Sequence, residues 1–458
     1  MPIPVEYQNR RVYHFTHIDN LESILRHDLL SPNKARELGI GHTNIAYDEI
    51  QQRRSNMIVP CGPGGVVHDY VPLYFCKRSP MLLAVVQNKI ADEQLIIYLE
   101  FSISILEEYD CVITDSSANA NHPPNFFTNP QNLDAIDWNA VETWRWGSQY
   151  DRLGELPVKQ KKMAELLVHE QINSTSVRQI VVWNEDCRDI VEEIHRDVGV
   201  TVPKIAYGGR DYYYIDQGTT RPPVTGPYFI KKACQETIDH IIERLGSATA
   251  PQFDNLHQLL NALQDDLESV PETAELVGLE TENRMHYEDV GQHTLTMVEQ
   301  LKNLSEYEEM NSTDELLVEI AAFLHDIGKG PKARWVNNQG RQKVDPDHPI
   351  KALPMIERIL TEDVRTMCER SARMITKLVC YHDLIGGILY KGRRPEELIT
   401  VIKYEDVEEL DERLVNMLVA VSKADILAID PSWNDEDKVK QLIDDIFERF
   451  YVFTQQKK

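Results

Sequence analysis

The chain has 458 residues, 42% hydrophobic and 27% charged, which suits two globular domains and excludes a disordered or fibrous polypeptide. Its net charge of −26 divides into −10 over residues 1–216 (20 basic, 30 acidic) and −16 over 217–458 (28 basic, 44 acidic), which argues against long contacts with nucleic acid or a membrane surface and leaves only short, local ones. Seven scattered cysteines without a CxxC pair, no apolar signal region and no apolar run long enough to span a bilayer read as a reduced, cytoplasmic protein with no membrane partner.

In chain order, HFTH (14–17) reads by itself as an edge strand, and NLESILRHDLL (20–30) repeats apolar residues at helical spacing. QLIIYLEFSISI (94–105) has the Ile content of a buried strand. Residues 115–158 form a long polar stretch with a Trp-rich end, a loop length that is usually functional. VKQKKMAELLVHEQI (158–172) enters a helix or a strand, and RQIVVWN (178–184) is strand-like. DCRDIVEEIHRDVG (186–199) is an amphipathic helix stopped by glycine, and GRDYYYID (209–216) reads as a last strand. QGTTRPPVTGP (217–227) has linker composition, and everything beyond it is helical in pattern. The acidic run YEDVEELDER (404–413) reads as a solvated helix face. The expected architecture is an α+β domain over 1–216, a linker over 217–227 and an all-α domain over 228–458.

The second half carries one chemical constellation. FLHDIGKG (323–330) closes a helix that opens at Asp314 and is expected to end at Gly328. Neighbours on a helix point about 100° apart, so His325 and Asp326 converge on one ion only if other helices add ligands. His293, His348, His382 and Asp425 are residues of the right type, and mixed imidazole–carboxylate ligation suits a divalent ion of the Mn, Fe, Ni, Zn or Mg class. In this order, with HDIGKG intact, they resemble the HD superfamily of metal-dependent phosphohydrolases over roughly 253–430. HYEDVGQHTLTMVEQL (286–301) is especially similar to the HD domain of bacterial tRNA nucleotidyltransferases. That resemblance implies His293, His325, Asp326 and Asp425 as metal ligands. It implies His348 and His382 for a second metal or the substrate phosphate, and Lys329 as a phosphate contact. The glycines beside Lys329 would fit a loop with open backbone N–H groups. The substrate it implies is a phosphorylated compound or nucleotide, and the absent GYP motif argues against cyclic di-GMP.

In the first half, VYHFTHIDNLESIL (12–25) sets two histidines, a threonine and an asparagine ahead of a short helix. RRSNMIVPCGPGGVVHDYVPLYFCKRSPML (53–82) joins arginines to a glycine-rich turn and aromatics, and MAELLV (163–168) holds Glu165 in an apolar segment beside Lys161 and Lys162. Singly, the turn is punctuation and the glutamate a surface residue. Together with VITDSSAN (112–119) and NLDAIDW (132–138), they resemble the DarT family of DNA ADP-ribosyltransferase toxins over 5–216.

The resemblance implies NAD as donor and single-stranded DNA as acceptor, thymidine fitting better and guanosine left open. Glu165 would oppose the positive charge that develops on the ribose as nicotinamide leaves, and help deprotonate the attacking base. Arg54 would orient the acceptor or the NAD phosphates, with Arg53 as the fallback. His14, Thr16, His17 and Asn20 would line the NAD pocket, with Tyr74 and Met81 packed nearby. Residues 119–158 would be a substrate loop whose Phe126, Phe127, Trp144 and Trp146 stack unpaired bases. Arg53/Arg54, Lys77/Arg78 and Lys159/Lys161/Lys162 would grip the strand. Glu165→Ala is expected to abolish transfer and keep the fold, on the view that alanine leaves no buried charge unpaired. His27-Asp28 departs from the family, which often has glycine after the first helix.

The whole reads as a transferase toxin or anti-phage effector fused to an HD phosphohydrolase. Two alternatives stay open: an HD half, or a separate antitoxin partner, that restrains or reverses the transferase, and an HD half that only senses nucleotides.

Overall fold

The computed structural model describes residues 2–118, 123–209, 211–213, 224–283, 288–404, 407 and 409–456. The chain divides into two compact units, Met1–Pro222 and Pro223–Lys458.

The first unit is built on an eight-stranded sheet: β1 (Arg11–His17), β2 (Tyr70–Tyr74), β3 (Ile96–Ser102), β4 (Cys111–Thr114), β5 (Phe126–Phe127), β6 (Glu165–His169), β7 (Gln179–Val182) and β8 (Lys204–Tyr207). The spatial order is β8-β7-β3-β1-β2-β6-β4-β5, antiparallel except for the β7–β8 pair. HFTH therefore lies inside the sheet and not at its edge, as the sequence alone suggested. Val12, Leu73, Leu99, Leu166 and Val182, each fully buried, form the apolar layer that holds these strands together. Against it pack α1 (Leu21–His27) and α3 (Glu185–Val198), which contribute Leu21, Ile24, Cys187 and Val191; α2 (Asp48–Asn56) carries the arginine pair.

The ladder between β1 and β2 is short. Seven residue pairs join β1 to β3, whereas β1 and β2 are in register at Tyr13↔Tyr74. Pro72 sits in the middle of β2 and has no N–H to donate, so the ladder cannot continue there. Its carbonyl accepts instead from the His14 ring, Nδ1 to O 3.0 Å. A cleft opens where the backbone pairing stops.

Two expectations for this unit need correction. Of the segment 209–216, Asp211–Tyr213 form a turn while Arg210 and 214–216 lie outside the described residues; the last strand is β8, five residues earlier in origin. The His27-Asp28 turn is made without glycine. Asp28 adopts φ 67° and ψ 174°, and its Oδ1 accepts from Ser174 N at 2.9 Å, which holds the unfavourable conformation.

Among the described residues the second unit is helical apart from a short parallel pairing of Phe253–Asn255 with Val364–Thr366 and isolated β-bridges. Its functional helices are α4 (Pro227–Glu243), α5 (Val290–Lys302), α6 (Ser312–Leu324), α7 (His348–Arg358), α8 (Glu369–Tyr381) and α9 (Glu412–Ile429). Helix α6 is buried almost all round, from Leu316 to Leu324, and is the central rod of the core. Asn311 caps it, accepting from Thr313 N and Asp314 N. Much of the expected linker, 217–223, lies outside the described residues, and its last residue, Pro227, already opens α4. The acidic run 404–413 is not a helix face: Lys403 and Leu410 form an antiparallel bridge, and α9 begins only at Glu412, while Glu405, Asp406 and Glu408 lie outside the described residues.

Candidate active sites

Helix α2 delivers Arg54 to the first residue of β6. The Arg54 guanidinium donates to both oxygens of Glu165, Nη1 to Oε1 at 2.9 Å and Nη2 to Oε2 at 2.8 Å, with both side chains buried. Burial alone would depress the arginine, but the Glu165 carboxylate overrides it and holds the guanidinium above its ordinary range. Glu165 is fixed from behind as well, its N–H donating to Thr114 Oγ1 at 3.0 Å. The register places Tyr74 directly opposite Glu165 and Tyr13 opposite Tyr74, so the pair stands at the end of a row across three strands. This contradicts the expected tolerance of Glu165→Ala, since removing the carboxylate strands Arg54 as a buried, uncompensated cation.

Beside the pair is a cavity of about 180 Å³. His14, Thr16, Asn20, Arg54, Tyr74 and Met81 all line it. Asn20 donates to Thr16 Oγ1 and the Thr43 carbonyl, both at 2.9 Å, and accepts from Thr43 N at 2.6 Å, which fastens the loop that closes the cavity. Tyr74 stacks on Phe15 at 5.4 Å and donates to Met81 Sδ at 3.2 Å. Burial pushes the His14 imidazole down. Two expected residues are elsewhere: His17 is tied to Asp19 at 3.2 Å, and Arg53 is exposed, with Nε donating to the Glu49 carbonyl at 3.4 Å. The sequence reading missed His42, His68 and Gln51, which also line the cavity. His68 Nε2 lies 2.9 Å from Gln51 Oε1, and burial together with the Arg54 charge pushes its imidazole down to about 4. His68 lies in VVHDY (66–70), where nothing local marks a buried histidine.

The residues expected to grip DNA fare unequally. Lys77 is paired with Asp211 at 2.8 Å and Lys161 with Glu155 at 2.8 Å and Asp137 at 3.2 Å. Phe126 and Phe127 form strand β5, while Trp144 is 56% exposed.

In the second unit the helix ends before the doublet, earlier than the sequence suggested. Helix α6 stops at Leu324, and Asp326 has left helical geometry at φ −105°, ψ 5°. The two side chains, which a continuous helix would point apart, thereby meet: His325 Nε2 lies 3.2 Å from Asp326 Oδ2. His293 from α5 reaches Asp425 from α9 at 2.9 Å and lies 4.0 Å from Asp326 Oδ2. On the other side, His348 Nε2 is 3.2 Å from Asp326 Oδ1 and 3.1 Å from His382 Nε2. Asp326 thus belongs to two donor groups, His293–His325–Asp326 and Asp326–His348–His382.

The donor chemistry fits a metal. The Nδ1 atoms of His325, His348 and His382 each lie 2.7 to 2.8 Å from the carbonyl three residues earlier, of Ala322, Asp345 and Val379. Each ring therefore donates through Nδ1 and presents the Nε2 lone pair to the centre, as metal-ligating histidines do. His325 Nε2 and Asp326 Oδ1 are buried without a hydrogen-bond partner, and the His348 and His382 lone pairs face each other. Burial pushes His348 down to about 3 and His382 down as well. Burial by itself would raise Asp326, yet His325 and Lys329 hold it well below the usual carboxylate range. A cation at this point would satisfy the orphaned atoms.

Two expectations for the GKG turn are corrected. The Lys329 and Gly330 N–H groups donate to Asp326 and Ile327 carbonyls at 2.9 and 3.0 Å, so they do not stand open to a phosphate. Lys329 Nζ lies 2.5 Å from Asp326 Oδ2. Gly328 is required by packing: a Cβ there would lie 1.9 Å from the His348 carbonyl oxygen.

Comparison with known proteins agrees with this division. Residues 13–214 match the family model described as ssDNA thymidine ADP-ribosyltransferase, DarT. A DNA ADP-ribosyl transferase of Thermus sp. (strain 2.9) is 33% identical over 214 residues, 44% of this chain and 95% of that protein. The chain belongs to the DarT family. A second DarT relative, the DNA ADP-ribosyl transferase of Thermus aquaticus, is 35% identical over 188 residues, 40% of this chain and 79% of its own. A transferase–glycohydrolase fusion protein of Thermosipho africanus is 25% identical over 181 residues, 39% of this chain and 43% of that one. The solved structure of Thermus sp. 2.9 DarT in complex with ADP-ribosylated ssDNA is 32% identical and covers 46% of this chain and 99% of that one, with a TM-score of 0.41. Residues 290–427 match the HD domain model, so a DarT-like α/β half is followed by a helix-rich half with an HD domain. No helix among the described residues is long and apolar enough to cross a membrane.

Proposed function

We propose that residues 1–216 transfer ADP-ribose from NAD to a base of single-stranded DNA, thymidine in preference to guanosine, and that residues 228–458 form a metal-dependent phosphohydrolase of a phosphorylated or nucleotide substrate. The observation that carries the first part is the buried Arg54–Glu165 pair, whose arginine lines the cavity together with His14, Thr16, Asn20 and Tyr74. Arg54 fixes the plane of the carboxylate, and each Glu165 oxygen keeps a second lone pair to face a sugar or an attacking base. Breaking the bond between nicotinamide and ribose leaves positive charge on the sugar, which a preorganised carboxylate stabilises where it forms. His14, held by the Pro72 carbonyl, and Asn20 shape the cavity for the NAD donor.

In the HD half, His293, His325, Asp326 and Asp425 would hold one divalent ion, with His348 and His382 a second ion or the phosphate. Bound there, a divalent ion supplies Lewis-acid polarisation of phosphate and an acidified water. Lys329 adds positive charge beside Asp326. The experiment for this half is elemental analysis of the full chain carrying both His325→Ala and Asp326→Ala. Loss of the metal and of any phosphate release, with ADP-ribosylation retained, is expected; wild-type metal content would place the site elsewhere. For the transferase, radiolabelled NAD and defined oligonucleotides test donor, strand form and base together.

A toxin or anti-phage role follows from that chemistry, as modified bases obstruct replication. A second reading, that the HD half restrains or reverses the transferase, is favoured by the Thermosipho africanus relative, in which a transferase is joined to a glycohydrolase. Growth arrest by residues 1–222 exceeding that by the full chain supports restraint; equal arrest sinks it.

A further inference from the structure

A second cavity in the first unit, about 270 Å³, shares no lining residue with the one beside Arg54 and Glu165. Two cations in its wall lack the carboxylate partner that the buried Arg54, Arg393 and Lys423 have. Lys162 is 3% exposed, and its ammonium donates to the Val141 carbonyl at 2.6 Å. An ammonium has three donors, and no carboxylate among the described residues pairs with it. Arg78 also has no carboxylate partner among the described residues, and its Nε and Nη1 are buried without a hydrogen bond. The neighbouring Lys77, by contrast, is neutralised by Asp211. Burial pushes the Lys162 ammonium down, and the nearby Arg78 charge adds to that against the opposing pull of Cys76 and Glu142. The hollow's own carboxylates, Glu142 and Asp211, are taken up by Arg10 at 2.9 Å and Lys77 at 2.8 Å, so an anion between Arg78 and Lys162 would meet donors that these do not.

The rest of the wall is aromatic. The Arg78 guanidinium carbon lies 4.4 Å from the Trp144 ring centroid and 4.6 Å from that of Tyr213, a sandwich that holds it in place. Lys162 Nζ lies 5.4 Å from the Trp146 ring. Trp144 is nonetheless 56% exposed, so the indole that covers Arg78 keeps much of its own surface in water. A solvent-facing indole backed by a guanidinium is a stacking platform for a base, and the paired cations are an anion seat within the same hollow.

We propose that this cavity is a nucleoside-phosphate subsite, in which a base stacks on Trp144 and its phosphate is held by Arg78 and Lys162. The inference rests on the reading of single-stranded DNA as acceptor for its assignment to the strand. There the subsite holds a nucleotide other than the one modified at Glu165. The same chemistry is offered by a free mononucleotide, and the two sources are separable.

The test uses the full chain carrying Glu165→Gln, which removes turnover, and reads binding of a fluorescein-labelled 12-nucleotide dT strand by anisotropy and of thymidine 5′-monophosphate by calorimetry. In that background Trp144→Ala and Arg78→Ala are each expected to weaken the strand about tenfold, the low-to-middle part of the range for losing one stacked base. Arg78→Lys, which keeps charge but loses the planar fork, is expected to recover part of the loss. NAD affinity, read separately, stays within twofold because the NAD cavity shares no residue with this one. Parallel weakening of the monophosphate assigns the seat to free nucleotide as well as strand, and supports the proposal. Trp144-dependent binding of the monophosphate in a chain that ignores the strand also supports the subsite while removing the DNA reading. Strand binding unchanged by both alanine variants overturns the subsite and leaves the DNA reading standing.

Discussion

Glu165 and Arg54 are locked together by two charge-assisted hydrogen bonds in a buried setting. The glutamate in an apolar segment was visible in the sequence, but its partner lies 111 positions away and nothing local announces a buried ion pair. Removing one member of such a pair leaves the other desolvated and unpaired, at a cost of about 3–5 kcal/mol. Glu165→Ala is therefore expected to lower the melting temperature by many degrees as well as abolish activity. Glu165→Gln, which retains one acceptor for Arg54, is expected to lose activity with a smaller loss of stability. The double replacement Arg54→Met with Glu165→Leu should be more stable than Glu165→Ala alone, and thermal melts of the three variants rank them directly; equal melting temperatures would show the pair to be energetically silent. His68 yields a pH dependence of definite sign. Its folded imidazole is lowered to about 4 from an ordinary 6.5, so below that ordinary value the unfolded chain binds the extra proton. The stability it protects is complete above about pH 6.5 and drains as the pH falls toward 4, on the order of 2 kcal/mol after allowing for partial solvation. Urea melts of wild type and His68→Asn should diverge across that window and run parallel above it; a constant offset at every pH excludes this cause.

At the scale of elements, the periodic segments were legible and the interruptions were not. The apolar repeat of ELLVEIAAFL yields α6, and the Ile-rich run yields β3, because burial of a stripe or a strand face is written in residue spacing. The sequence puts the end of α6 at Gly328, four residues beyond its observed end at Leu324, because glycine is a common stop signal. Its role is close approach: α7 enters with the His348 carbonyl where a side chain at 328 would be, which brings His348 within 3.2 Å of Asp326. Tertiary packing of this sort leaves no trace in local propensity. Gly328→Ala must push α7 away, since a Cβ 1.9 Å from a backbone oxygen cannot be accommodated by a rotamer change. The expected result is a fall in bound metal to a small fraction of wild type, with a loss of roughly 1–3 kcal/mol in stability of the second unit. Elemental analysis together with a denaturant melt measures both, and full metal content in a folded variant would show that α7 can yield. Pro72 is the converse case. Proline is ordinarily confined to edge strands, yet β2 is internal, and the lost donor becomes the place where β1 and β2 part and the His14 cavity opens.

At the scale of the molecule, a net charge of −26 has to be reconciled with a polyanionic partner. Composition bounded the answer to short contacts, but it could not say which cations were already spent. Of the seven expected to grip a strand, Arg54, Lys77 and Lys161 are paired with carboxylates, which leaves four: Arg53, Arg78, Lys159 and Lys162. Single-strand binding releases about 0.7 counterion per phosphate neutralised, so four contacts set a slope of log affinity against log salt no steeper than about −3. Most of the binding energy then has to come from stacking on exposed aromatic surface such as Trp144, a contribution that salt hardly touches. The four also differ among themselves. Arg53 and Lys159 are exposed and already screened, whereas Arg78 and Lys162 line a cavity where an anion gains more per contact. Anisotropy titrations of a short dT strand between 50 and 300 mM salt, on the full chain carrying Glu165→Gln, should therefore give a shallow slope. That slope should become shallower by roughly 0.7 when Arg78→Ala is introduced and change less with Arg53→Ala. A slope steeper than about −5 would require phosphate contacts beyond these four cations and would move the nucleic-acid surface elsewhere on the molecule.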